Sequence, residues 1–460
     1  MESVEEVWVD GLYGEFNHRV ELHPEWPFAI VYGPNGVGKT RFFGAIFALG
    51  RLKARTLARA PLDSVGIRYS DGACLTVERT EGLEGVRLKF TLSGGGRSDP
   101  DVWNWPPSLE ELDRQEVMAM RRERSRLLGP RWRDLGDGTW ENRADETILT
   151  DAEVEAITGQ NLDELQENLP PEVFSEFVEK RPVYFIETQR LLVGGSRRNA
   201  AQRHPSNRYR PESGTGPSRE DTVSSYADDL RRRLNSALVE NSRRSQELDR
   251  TFPTRLLQED LQRSVAEENT IRKRHADQDD KRRRLAELGL TPDLPTVGLP
   301  DVKLDALKLS VLSLYLDDSE AKLRSFDDVL AKSDLLKSIV NRRFLRKSLE
   351  VNAEQGLVVV PDSGSGPLDP AKLSSGEKHE LIMFYDMIFS ASEGTLVLID
   401  EPEISLHVSW QRQFLKDIEM VAELTGIRVL IATHSPQIIG SHRDRTTELG
   451  SAEDLEAMGQ

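Results

Sequence analysis

The chain has 460 residues, 37% of them hydrophobic, which is enough to bury the cores of two or three domains. Its formal net charge of −17 argues against a protein that coats nucleic acid over its whole surface, although local basic clusters can still contact phosphates. A single cysteine, Cys74, excludes an internal disulfide bond and a metal site built from several cysteines. The absence of a secretory signal pattern and of a membrane-spanning apolar run predicts a cytoplasmic protein without a membrane partner.

The first hundred residues predict a nucleotide core that begins with strands. Alternating apolar residues over 7–22 indicate a hairpin, and the run Phe28–Tyr32 indicates a buried strand. Three more strands, at 65–69, 74–78 and 86–92, predict a small antiparallel sheet.

Residues 33–40, here called the phosphate loop, read Gly-Pro-Asn-Gly-Val-Gly-Lys-Thr and match the pattern G-x-x-x-x-G-K-[ST]. The glycines let backbone N–H groups converge on phosphates, and a helix predicted over 41–52 directs its positive end at the same anion. The ammonium of Lys39 can reach the β- and γ-phosphates, and the hydroxyl of Thr40 suits Mg²⁺. We therefore predict that the following residues bind nucleotide, with Thr40 also a metal ligand: Gly33, Asn35, Gly36, Gly38, Lys39 and Thr40.

The pattern changes along the middle of the chain, where we predict insertions between two halves of the nucleotide core. Pro253 is expected to end a first long helix of the second insertion. The predicted segments are the N-terminal half of the core (1–100), a helical insertion (101–180), a core strand with a glutamine loop (181–193), a flexible loop (194–221), a helical hairpin (222–349) and the C-terminal half of the core (350–460).

Two carboxylates follow the apolar run of residues 395–399, as at the end of a buried parallel strand that opens onto a ligand. We predict that Asp400 holds the Mg²⁺ shell and that Glu401 polarises the water that attacks the γ-phosphate.

Residues 373–378, here called the signature segment, read Leu-Ser-Ser-Gly-Glu-Lys before an apolar helix. Ser374 and Gly376 thus lie at a helix N-terminus, where they could bind an anion. Taken alone, the segment is equally an ordinary helix cap.

Together these motifs resemble those of the ABC ATPases, in the branch that contains the SMC, RecF and OLD proteins. The resemblance implies an α/β fold: an ABC-type P-loop ATPase head with a mainly parallel sheet, a small antiparallel sheet and an inserted α-helical or short coiled-coil subdomain. It also implies that two copies sandwich two ATP molecules with Mg²⁺. Ser374, Ser375, Gly376 and Glu377 of one copy would then face the phosphate loop of the other, although Ser375 and Glu377 replace the glycine and glutamine of the usual signature.

Three weaker elements extend the resemblance. Residues 402–407 resemble the D-loop, and His434 resembles the switch histidine that contacts the γ-phosphate. Gln189 resembles the glutamine that senses Mg²⁺ and the attacking water, which would give it catalytic and metal-binding roles. A lone glutamine is otherwise more often a satisfied polar residue than a ligand.

The sequence most resembles standalone AAA-family ATPase subunits of bacterial anti-phage systems, such as PtuA of Septu and AriA of PARIS. This implies ATP-dependent pairing of heads that controls a separately encoded effector, such as a nuclease or toxin. We expect no nuclease domain in this chain, since neither a TOPRIM domain nor an HNH-like cluster is evident.

The alternative is a RecF-like DNA repair ATPase that clamps DNA. Five arginines over residues 197–210 are the best candidates for contact with DNA phosphates, and an arginine-rich loop without a ligand is the plainer interpretation. A transporter ATPase subunit is disfavoured by the long insertion between the phosphate loop and the signature segment.

Overall fold

A computed structural model describes residues 3–82, 85–105, 132–134, 139–142, 148–150, 170–187, 219–258, 267–292, 295, 298–364, 366–368, 373–404 and 406–450. The chain divides into two compact units. Unit 1 comprises Met1–Ile186, Ser392–Glu403 and Gly426–Gln460, and unit 2 comprises Glu187–Ala391 and Ile404–Thr425.

The described strands, in chain order, are β1 (Val4–Leu12), β2 (Phe16–Glu21), β3 (Phe28–Tyr32), β4 (Ser64–Tyr69), β5 (Cys74–Gly82), β6 (Gly85–Ser93), β7 (Asp101–Trp105), β8 (Trp132–Asp134), β9 (Thr139–Asn142), β10 (Ile148–Thr150), β11 (Val183–Glu187), β12 (Lys347–Asn352), β13 (Gly356–Pro361), β14 (Leu396–Asp400), β15 (Arg428–Ala432) and β16 (Thr446–Glu448).

The described α-helices are α1 (Lys39–Gly50), α2 (Ala54–Arg59), α3 (Glu172–Lys180), α4 (Arg219–Gln258), α5 (Glu268–Glu287), α6 (Ala306–Leu323), α7 (Asp327–Asn341), α8 (Ser375–Tyr385), α9 (Val408–Thr425) and α10 (Pro436–Ile439). In the part of the chain that the structure describes, no helix combines the length and the apolar character needed to cross a bilayer.

A five-stranded sheet in unit 1 brings together strands from the two ends of the chain. Its order is β11-β14-β15-β3-β16, and the pairs β14–β15, β15–β3 and β3–β16 are parallel. Every residue of β14 and of β15 is buried, as expected of parallel strands covered on both faces. Because parallel strands end at the same edge of a sheet, the residues after β3, β14 and β15 share one edge.

A six-stranded antiparallel sheet, ordered β2-β1-β4-β5-β6-β7, is the other sheet of the core in unit 1. Helix α1 packs against both sheets, and Phe42, Phe43, Ile46 and Leu49 share a core with residues of both. The two sheets and the helical segments confirm the predicted α/β fold class.

The described parts of residues 101–180 differ from the helical insertion that the sequence predicts. Strand β7 extends the antiparallel sheet, β8 to β10 form a three-stranded sheet, and only α3 is helical. The ring of Trp103 stacks on that of Phe90 with centroids 4.3 Å apart, so an aromatic pair across β6 and β7 favours strand pairing.

Helix α4 continues through Pro253, so the prediction that this proline ends the helix is wrong. Proline cannot donate to the carbonyl four residues earlier and crowds it. In the turn before it, the hydroxyl of Thr251 donates to the carbonyls of Glu247 and Leu248, and Arg255 also donates to Leu248. The predicted flexible loop, 194–221, lies outside the described residues except for its last three, which begin α4.

Within unit 2, hydrogen bonds connect α4 to the C-terminal end of α8, the helix that begins in the signature segment. The hydroxyl of Tyr226 donates to Asp386 at 2.6 Å, and that of Tyr385 donates to Asp229 at 2.8 Å. Strands β12 and β13 form an antiparallel hairpin that belongs to unit 2, whereas the sequence placed all of 350–460 with the nucleotide core.

Candidate functional site

The phosphate loop lies between β3 and the N-terminus of α1, with glycines in conformations that other residues rarely adopt. Gly36 and Gly38 have φ values of 99° and 85°. A Cβ atom at Gly33 would overlap the carbonyl oxygen of Leu449, whereas the space beside Gly36 is open. Asn35, Gly36 and Thr40 are exposed, so the loop offers an accessible surface of backbone N–H groups.

Lys39 is nearly buried, with 6% of its surface exposed, and folds back over the loop. Its Nζ donates to the carbonyls of Gly33 and Pro34 at 2.8 and 2.9 Å. Burial lowers the pKa of Lys39, and the negative charges of Glu401, Asp400 and Glu403 oppose that shift. The structure therefore brings the lysine from the start of the chain into the electrostatic reach of carboxylates from its end.

The end of β14 carries two of these carboxylates in a tight turn. Asp400 is 4% exposed, and the N–H of Glu401 donates to the carbonyl of Ala432 at 2.8 Å. Glu401 has a φ of 48°, a left-handed conformation that costs a residue with a Cβ atom about 1–2 kcal/mol. Such backbone strain concentrates at functional sites, which fits the catalytic role predicted for this residue.

Glu403 holds the segment that carries His434, and the sequence did not single it out. It accepts a hydrogen bond from the hydroxyl of Thr433 at 2.8 Å and from the backbone N–H of His434 at 2.6 Å. The imidazole Nε2 of His434 lies 3.8 Å from Oε1 of Glu401. The three carboxylates and the histidine thus meet at one edge of the parallel sheet. The sequence signals for Glu403 are its place in the predicted D-loop, 402–407, and its closeness to the predicted Asp-Glu pair.

The residues present fit a magnesium ion that is held together with a nucleotide. Mg²⁺ usually takes one or two protein oxygens and completes its shell with phosphates and waters. Thr40 offers an exposed hydroxyl in the first turn of α1, and Asp400 offers a carboxylate at the end of β14. Among the described residues, no group of three or more His, Cys, Asp or Glu is placed to hold a metal ion. Bound by Thr40 and Asp400, the ion would neutralise charge on the phosphates.

The signature segment forms the N-terminus of α8 in unit 2. The side chain of Ser374 caps the helix by accepting from the N–H of Glu377, and the Glu377 carboxylate accepts from the N–H of Ser374. Lys347 donates to the same carboxylate at 2.9 Å. Although burial acts to raise it, these bonds hold the pKa of Glu377 below its usual range. Ser374 and Ser375 are exposed, and Gly376 lies one residue into the helix.

Three predicted elements fall wholly or partly outside the described residues. Gln189 is one of them, so its catalytic and metal-binding roles remain predictions. In the predicted D-loop, Ser405 is likewise outside the description. The arginines of residues 197–210, which the DNA-repair alternative needs, are not described either.

A 90-residue segment of the chain is 30% identical to the oligopeptide transport ATP-binding protein OppD of Mycobacterium bovis (strain ATCC BAA-935 / AF2122/97). The identity and coverage are the same for OppD of Mycobacterium tuberculosis (strain ATCC 25618 / H37Rv). The segment amounts to 20% of this chain and 14% of either transport protein.

Two solved structures align over the whole chain at low similarity. One is an SmcHead bound to the C-winged helix domain of ScpA, with a TM-score of 0.34, 11% identity and 100% coverage of both chains. The other is an Smc head domain with an extended coiled coil bound to the C-terminal domain of ScpA from Pyrococcus furiosus. Its TM-score is 0.32 at 14% identity, with 100% of this chain and 98% of that chain covered.

Residues 28–440 match the family model described as "AAA domain, putative AbiEii toxin, Type IV TA system". The match begins at the first residue of β3 and extends beyond His434, so it includes the phosphate loop, the signature segment and the carboxylates after β14. Because it covers most of the chain, the protein belongs to this family of AAA-domain proteins.

Proposed function

We propose that this protein is a Mg²⁺-dependent ATPase and that two copies of it close their heads on ATP. We further propose that this closure controls a separately encoded effector in bacterial anti-phage defence. The observation that supports the proposal most strongly is the meeting of Lys39 with Asp400, Glu401 and Glu403 beside the phosphate loop. A lysine held by loop carbonyls and facing carboxylates suits the binding of a triphosphate with its metal ion.

Each group has a defined task in this proposal. Lys39 exchanges the carbonyls of Gly33 and Pro34 for phosphate oxygens when the nucleotide binds, because an anion is a stronger partner for an ammonium than a neutral carbonyl. Glu401 takes a proton from the attacking water. His434, whose backbone is held by Glu403, contacts the γ-phosphate.

In the proposed pair, the second copy contributes its signature segment to the nucleotide site. Ser374 and Ser375 are exposed at the N-terminus of α8, where the helix dipole favours an anion. In this proposal, which follows the resemblance to the ABC ATPases, the segment faces the γ-phosphate held by another copy. ATP then acts as the link between two copies, and hydrolysis releases them.

The proposed effector is a separately encoded partner protein. The family description names a toxin of a type IV toxin–antitoxin system, which supports a function that depends on a partner encoded separately. Affinity purification of the tagged protein, co-expressed with the product of the adjacent gene, tests this part. A complex whose amount changes between ATP and ADP supports it, and the absence of any complex in either state contradicts it.

The ATPase part is tested by measuring the hydrolysis rate per copy as the protein concentration increases. A site completed by a second copy predicts a rate per copy that rises with concentration and then reaches a plateau. The variant Lys39→Ala should be inactive at every concentration. Glu78→Gln, at a largely exposed glutamate of β5, serves as a matched control that should follow the wild type. A rate per copy that is independent of concentration would contradict a shared site.

A further inference from the structure

His18 is a buried histidine that contacts the phosphate loop from the neighbouring sheet. It lies on β2 and is 2% exposed, and its Nε2 is 2.8 Å from the carbonyl oxygen of Val37. A carbonyl oxygen only accepts hydrogen bonds, so the ring nitrogen is the donor. The contact joins residues 19 positions apart and fixes a peptide in the middle of the phosphate loop.

Two aromatic rings hold His18 in place. Phe16 stacks on the imidazole with centroids 5.6 Å apart, and Phe42 of α1 meets it edge-on at 5.7 Å. Burial lowers the pKa of His18, so the neutral ring that donates through Nε2 is favoured. The ring is thus oriented by packing before any ligand binds.

The bond has a geometric consequence for the phosphate loop. In a trans peptide the C=O of one residue and the N–H of the next point in opposite directions. When His18 holds the carbonyl of Val37, the N–H of Gly38 must therefore point away from His18. This peptide rotates about ψ of Val37 and φ of Gly38, and Gly38, with a positive φ of 85°, offers little resistance of its own to that rotation.

The turn of the same hairpin also contacts the loop. A Cβ atom added to Gly38 would lie 2.7 Å from Cδ2 of Leu12 and 3.3 Å from the ring of Tyr13. The close packing restricts how far the peptide can move on that side. The side chain of Val37, 3% exposed, anchors the loop to the core.

We propose that His18 is a positioning residue for nucleotide binding: it holds the peptide between Val37 and Gly38 so that the Gly38 N–H faces the phosphates. This inference rests on the proposed binding of ATP at the phosphate loop. His18 does not touch the nucleotide, and its effect is to keep a donor of the loop oriented before the phosphates arrive.

The test uses three variants of the full chain and titrates ATP and ADP by calorimetry. His18→Phe keeps a ring between Phe16 and Phe42 but lacks the donor. His18→Gln keeps a donor N–H at a similar reach, and His18→Asn carries the same amide on a shorter side chain. The exposed His23, changed to Gln, is the matched control and should bind both nucleotides like the wild type.

We expect His18→Phe and His18→Asn to weaken ATP and ADP binding roughly three- to tenfold, and His18→Gln to recover most of the loss. Melting temperatures measured on the same samples separate this effect from a loss of structure. If His18→Phe does not fold, the contrast between Gln and Asn decides the question. Equal affinity of the Gln and Asn variants, or wild-type affinity in His18→Phe, would overturn the role of His18. Failure of the wild type to bind ATP would instead overturn the proposed function.

Discussion

The phosphate loop of unit 1 and the signature segment of unit 2 each place exposed polar residues at a helix N-terminus, but they differ in where their partners come from. At the phosphate loop, the pKa of Lys39 is raised by the charges of three carboxylates that lie more than 360 positions later in the chain, against the larger lowering by burial. In the signature segment, Ser374 and Glu377, three residues apart, exchange hydrogen bonds that cap α8. Lys347, in the same unit, also donates to Glu377. Substitutions at the phosphate loop and its carboxylates should therefore alter ATP hydrolysis. Substitutions in the signature segment should act first on the stability of α8 and only then on hydrolysis.

The largest effect is expected at Glu401. Replacing it by Gln removes the base that accepts a proton from water while keeping the size of the side chain. We expect the hydrolysis rate to fall by about 10²–10⁴, the usual contribution of general base catalysis, with ATP affinity retained. Steady-state kinetics and equilibrium binding on the same preparation measure both. A variant with near-normal turnover would remove Glu401 from the chemistry.

Glu403 tests whether the contact with the switch segment serves the reaction. Glu403→Ala removes the acceptor for Thr433 and for the N–H of His434, each bond being of the charge-assisted kind. We expect kcat to fall about tenfold to a hundredfold with a smaller change in KM. Glu403→Gln should retain part of the activity, because its amide oxygen still accepts. A change in KM alone would indicate that Glu403 acts in binding.

The pH dependence of stability tests the effect of a buried carboxyl in unit 2. This carboxyl belongs to Glu380 on α8, the helix that begins in the signature segment. The side chain of Glu380 is 2% exposed and lies 3.8 Å from Arg343, which also pairs with Asp417. Burial raises the pKa of Glu380 from 4.5 to about 7, Arg343 opposes the shift, and the charge of Asp417 adds to it. The folded state therefore binds more protons than the unfolded state between these values, and Glu380 lowers the stability as the pH rises from 4.5 to 7.

Glu380→Gln removes this ionisation. Above pH 7 we expect the free energy of unfolding to rise by roughly 1–3 kcal/mol relative to the wild type, and the difference should shrink as the pH falls towards 4.5. Urea unfolding at pH 5 and pH 8 measures it. A variant that is equally destabilised at both values would show that the ionised carboxylate contributes to the native contact with Arg343.

The smallest effect is expected from the cap of α8. Ser374→Ala removes the side chain that accepts from Glu377, and the loss of such a cap costs about 1 kcal/mol. Ser374→Gly should cost less, since glycine is tolerated at this position. Chemical denaturation measures both costs. If both variants keep wild-type stability but lose the dependence of hydrolysis on protein concentration, Ser374 acts mainly in the contact between copies.

The sequence predicted the features that depend on local patterns. The phosphate loop is a motif of eight consecutive residues, and the core strands are short apolar runs, so β3 and β14 were found within one residue. The position of Asp400 and Glu401 followed from the end of such a run.

Features that depend on distant contacts were missed. Glu403 acquires its significance from hydrogen bonds to residues 30 and 31 positions away, and His18 from a carbonyl in another element. Strand β7 depends on pairing with β6. Such contacts leave no periodic signal along the chain.

Light scattering of the Glu401→Gln variant tests the central claim most directly, because slow hydrolysis should preserve the ATP-bound form. We expect its mass to double on addition of Mg²⁺-ATP, to remain that of a single copy with Mg²⁺-ADP, and to stay unchanged when Lys39→Ala is added to the variant. The same mass with and without ATP would contradict the account that one copy's nucleotide site is completed by another.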